Sequence, residues 1–91
     1  MNFSAVDSTL KDWAARNRMP LATRYQGADV RSFEVVGRTG RAQIWLEVDE
    51  DMTVYVWDYK KRKQQFAVDE STLAAGLDDA LGVARIWCST P

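Results

Sequence analysis

A chain of 91 residues can build one hydrophobic core but not two, so a single domain over residues 1–91 is expected. Apolar residues at 46% and charged residues at 27% exclude an intrinsically disordered chain, and a net charge of −1 gives no global attraction to nucleic acid. There is no histidine, which removes Ser-His-Asp and Cys-His catalysis along with the common zinc sites, because one cysteine cannot supply the missing ligands.

Taken in order, residues 4–18 have the spacing of a helix. Val6, Leu10, Trp13 and Ala14 recur on one side, Ser4 can serve as N-cap with Asp7 three residues on, and Pro20 closes the segment. An extended stretch, LATRYQ, runs to a turn at Gly27. VRSFEVV then puts Phe33 and Val35 on one side, and Gly37-Arg38-Thr39-Gly40 supplies a hairpin turn. That four-residue segment lacks the lysine and spacing of a phosphate-binding loop.

The next two segments alternate strictly. In RAQIWLEV, Ala42, Ile44, Leu46 and Val48 oppose Arg41, Gln43, Trp45 and Glu47. In MTVYVWDY, Met52, Val54 and Val56 oppose Thr53, Tyr55, Trp57 and Tyr59. Period-2 alternation of this kind marks strands. Keeping apolar partners together pairs Phe33 with Ile44, Val35 with Ala42, Leu46 with Val54 and Trp45 with Tyr55. Asp49-Glu50-Asp51 is the turn between the two strands. It lacks the spaced oxygen ligands and glycine of a calcium loop.

Lys60-Lys61-Arg62 turns the chain into KQQFAV, where the expected register sets Lys63 against Tyr59, Gln65 against Trp57, Val56 against Phe66 and Val54 against Val68. Asp69 or Ser71 caps a second helix with a stripe of Leu73, Leu77, Ala80 and Leu81, and Gly82 is its natural end. Asp78-Asp79 is read as facing solvent. Residues 83–88 are β-branched and aromatic after that glycine, which favours a short last strand over continued helix.

The expected fold class is α+β: a two-layer sandwich with an antiparallel four- to five-stranded meander sheet flanked by an N-terminal and a C-terminal helix. Ile44, Leu46, Val54, Val56 and Phe66 would pack against Leu10, Trp13, Leu73 and Leu77. The opposite face then carries Trp45, Tyr55, Trp57 and Tyr59, rimmed by Arg41, Gln43, Lys63 and Gln65. If the first helix or a second copy covered it, this face would be core or a dimer seam. Left open, it is a candidate binding surface, since Trp, Tyr and Arg dominate protein interfaces.

The expected function is therefore a non-enzymatic interaction module that engages a protein partner or itself, as a homodimer, through Trp45, Tyr55, Trp57, Tyr59, Arg41, Gln43 and Lys63. The alternative is single-stranded nucleic-acid binding by the same rings with Arg41 and Lys60–Lys63. No catalytic residue, metal or cofactor is expected, and replacing Cys88 with serine should leave function untouched. No apolar run approaches the roughly 18 residues of a membrane span. MNFSAVDSTLKDW has neither the basic nor the apolar region of a secretory signal. A cytoplasmic protein of bacterial type, without membrane contact, is the resulting expectation.

Overall fold

The computed structural model describes residues 3–89. In chain order they form helix α1 (Asp7–Asn17), strands β1 (Ala22–Tyr25), β2 (Ala28–Val36), β3 (Arg41–Val48), β4 (Met52–Trp57) and β5 (Lys63–Val68), and helix α2 (Leu73–Ser89). The strands lie side by side in sequence order, each antiparallel to its neighbour. The α+β class and the flanking helices agree with the sequence reading; two strand assignments do not.

The first helix starts later than expected. Val6 and Asp7 both donate their amides to the Phe3 carbonyl at 3.0 Å, and Val6 takes the cap position without a side-chain cap. Asp7 instead accepts two hydrogen bonds from Arg31 on β2, from Nε at 2.6 Å and Nη2 at 3.1 Å. Arg31 also reaches Asp29 at 2.6 Å and lies over the Phe3 ring. A carboxylate in the first turn of a helix is favourably placed against the helix dipole, and here it also ties α1 to the sheet. At the other end Arg18 is left-handed (φ 55°), and the Met19 amide closes back on the Ala14 carbonyl at 2.9 Å. The helix therefore ends at Asn17, three residues before Pro20.

The fifth strand is not at residues 83–88. It is β1, folded onto β2 by a two-residue turn in which Gln26 (φ 50°) and Gly27 (φ 82°) are both left-handed. That geometry matches the natural twist of a hairpin and is easiest with glycine. Residues 83–88 continue α2. Ala84 and Cys88 extend the buried stripe of Leu73, Leu77, Ala80 and Leu81, and Gly82 sits inside the helix with open space around it. Burying this longer stripe against the sheet outweighs the local β preference of Val83, Ile86 and Trp87.

Pairing of β2 with β3 and of β3 with β4 has the expected register. Pairing of β4 with β5 is shifted by two residues: Val54 faces Phe66, Tyr55 faces Gln65 and Trp57 faces Lys63. The cause is the connecting loop. Asp58 donates its amide to the Arg62 carbonyl, while one carboxylate oxygen accepts from the amides of Lys60, Lys61 and Arg62 at 2.9–3.0 Å. The Arg62 Nε completes the knot at 2.9 Å, with Tyr59 left-handed (φ 65°). Tyr59 thus belongs to the loop, not to β4.

Both helices lie on the aliphatic face. Leu10, Trp13, Leu73 and Leu77 are fully buried with Ile44, Val54 and Val56, and Leu46 nearly so. Phe66 is only half-buried, because β5 is an edge strand. Trp13 packs edge-on to Phe33 at 4.9 Å and donates its indole N–H to Asp78 at 2.9 Å. Asp78 therefore joins α2 to α1, although it remains exposed. At the far end of α2, Thr39 donates from both its amide and its hydroxyl to the Cys88 carbonyl, at 2.9 and 2.8 Å. Any side chain at Gly37 would collide with Cys88, so the β2–β3 turn is fitted against the helix end.

Candidate binding face

Alternation along β2–β5 sends Glu34, Gln43, Trp45, Glu47, Thr53, Tyr55, Trp57, Lys63 and Gln65 to the side away from both helices. All seven sequence-predicted site residues come together there. Arg41, Gln43 and Trp45 stand on β3, Tyr55 and Trp57 on β4, Lys63 on β5, and Tyr59 leans in from the loop. The four rings are half-buried. Their shielding comes from one another and from neighbouring side chains, since neither helix lies over them.

The rings form a ladder of two pairs, one of them across strands. Trp45 and Tyr55 are stacked, with centroids 5.1 Å apart and planes 13° from parallel. Neighbouring strands are about 4.8 Å apart, so rings stacked across them stand on edge and show their rims to solvent. Trp57 and Tyr59 form a second pair at 4.8 Å, tilted by 44°. The Lys63 ammonium reaches 5.0 Å from the Tyr55 centroid and 5.4 Å from that of Trp45. The Arg41 guanidinium lies 4.8 Å from the Tyr59 ring. These are cation–π distances.

Sequence reasoning missed Glu34. It accepts from Arg41 Nη1 at 3.2 Å and from the Tyr59 hydroxyl at 3.1 Å, so it anchors one corner of the ladder. The β2–β3 register sets Glu34 opposite Gln43, two residues from Arg41 on the same face, which signals the Arg41 contact but not the Tyr59 one. Glu47 was likewise left out of the site. Burial, then Glu34, raises the Tyr59 phenol pKa, and burial, then Glu47, raises that of Tyr55. Both phenols are therefore neutral hydroxyls near pH 7 and can donate hydrogen bonds. Across β2–β5 the face carries Glu34 and Glu47 against Arg41 and Lys63, an even balance of charge.

Beside Trp45 a groove of about 600 Å³ opens. Pairing between β2 and β3 extends only as far as Ser32 with Trp45, so Ala28–Arg31 diverge and leave the space between them. Tyr25, Val30, Ser32, Trp45 and Glu47 are among its walls. The groove could not be foreseen without the position of β1.

The remaining sequence features lie elsewhere. Arg62 is paired with Asp58 and stands over Trp87 at 5.1 Å, on the helical side of the molecule. Cys88 is buried under the β2–β3 turn, and burial raises its thiol pKa. Asp49–Asp51 form a tight turn closed by the Asp49 amide on the Asp51 carbonyl at 2.9 Å. Among the described residues no three His, Cys, Asp or Glu side chains gather as they would around a metal ion. No described helix is long and apolar enough to cross a membrane.

No family model, curated protein or solved structure matches the chain.

Proposed function

We propose that this chain is a non-enzymatic interaction module that binds a protein surface, of another protein or of a second copy, through the aromatic face of its sheet. The observation that supports this is the ladder Trp45–Tyr55–Trp57–Tyr59, left uncovered by both helices and pre-ordered by Lys63, Arg41 and Glu34. Rigid rings lose little entropy on docking, and a rim of balanced charge suits a protein better than a polyanion. The lack of histidine supports a binding role over catalysis. The single buried thiol of Cys88 fits a reducing compartment, here read as the bacterial cytoplasm.

The nucleic-acid reading draws less support from the same geometry. Arg41 is paired to Glu34 and Arg62 to Asp58, and Trp45 and Tyr55 already occupy one another's faces. Base stacking needs a free ring face beside free cations.

A photo-crosslinking side chain at Gln43, compared with one at Ala15 on the outside of α1, tests the proposal in cells. Adducts from position 43 alone, lost with Trp57→Ala, are expected. Equal capture from both positions, or none, overturns it. Oligonucleotide added at low salt should leave tryptophan emission unchanged; quenching would favour the nucleic-acid reading.

A further inference from the structure

The two edges of the sheet are unlike. β1 has four residues, is interrupted by a register shift between Ala22 and Arg24, and carries a charge at Arg24. A short, bulged, charged strand resists pairing with another chain. β5 pairs with β4 along all six of its residues, without bulge or proline, and among the described residues no further strand lies beyond it. From Gln64 to Val68 it has no charged side chain, and Phe66 and Val68 are only half-buried.

The charges lie at its two ends and have opposite sign. Lys60-Lys61-Arg62-Lys63 enters the strand and Asp69-Glu70 leaves it. Antiparallel pairing of a strand with its own copy sets the start of each against the end of the other, so this arrangement complements itself.

We propose that β5 is a homodimerisation edge that pairs antiparallel with β5 of a second copy about a two-fold axis at Gln65 or Phe66. An axis through Gln65 brings the Lys60–Lys61 loop of each copy towards the Asp69–Glu70 end of the other strand. An axis through Phe66 sets Lys63 beside Asp69 and brings the two Phe66 rings together. Either register joins two five-stranded sheets into one and leaves both aromatic faces open on the same side. The strand edge borders the aromatic face at Lys63 and Gln65, and the inference stands without the binding reading.

Sedimentation equilibrium over a concentration series, at low and high salt, provides the test. The expected result is a monomer–dimer equilibrium weakened by salt. Lys61→Glu or Glu70→Lys should each weaken the dimer roughly tenfold, since two-fold symmetry doubles every charge change, and the two together should weaken it further. Gln65→Lys sets like charges across the axis and should give a monomer that melts like wild type. A monomer at every concentration overturns the proposal, even if an added extended peptide protects the β5 amides. So does a dimer indifferent to the charge swaps. Acrylamide quenching of Trp45 and Trp57 separates the two surfaces: it stays constant through edge pairing and falls if copies meet through the aromatic face.

Discussion

On one side of the sheet Ile44, Leu46, Val54 and Val56 are removed from water beneath two helices; on the other, Trp45, Tyr55 and Trp57 keep part of their surface exposed. The same strands supply both sides. The covered side is stabilised by area taken from water, a large and non-directional effect. The open side is ordered by ring contacts and cations over rings, each worth about 1 kcal/mol. A face built from small directional contacts can be ordered without being closed, which suits a surface that receives a partner.

The sharpest way to break this comparison is to truncate one residue on each side. Leu46→Ala should cost about 2–4 kcal/mol in urea unfolding, through lost transfer energy and a cavity. Trp45→Ala, its neighbour on the open side, should cost clearly less. Equal losses would mean that the aromatic face carries core-like energy. Next in size is Asp78→Ala, which leaves the fully buried indole N–H of Trp13 without its acceptor. A loss of about 1–3 kcal/mol is expected, and Trp13→Phe in the same background should add no hydrogen-bond penalty.

A smaller effect of opposite sign tests the covering layer itself. Gly82 sits inside α2 with room for a methyl group, so Gly82→Ala should raise stability by about 0.5–1 kcal/mol. A loss would instead mean that the helix ends at this glycine. The last prediction concerns acid. The Arg62 guanidinium, helped by the Lys60 and Arg62 amides, holds the Asp58 carboxyl down at about 2 from an ordinary 3.8. Arg31 lowers Asp7 in the same way. Because the folded-state values lie below the unfolded ones, this stabilisation is fully present above the unfolded value and fades as pH falls through the folded one. The urea midpoint should therefore drop on acidification to about pH 2, and Asp58→Asn should flatten part of that drop.

Much of this architecture was legible beforehand, and the exceptions share a cause. The pairings Phe33–Ile44, Leu46–Val54 and Trp45–Tyr55 follow from alternation, since a one-residue slip would drive aliphatic side chains to the wrong face. A two-residue slip preserves the faces, so alternation could not distinguish the true pairing of β5 from the expected one. The Asp58 loop decided it, through hydrogen bonds that composition does not reveal. Glu34 was overlooked because its role arises only when Arg41 and Tyr59 converge on it from separate elements.

The sequence by itself determined the α+β class, the two faces and the membership of the aromatic ladder, because side-chain period is a local property of the backbone. Tertiary structure alone decided that residues 83–88 are helix and that β1 completes the sheet. Those outcomes depend on apolar surface buried between elements distant in sequence, and that energy exists only once the layers meet.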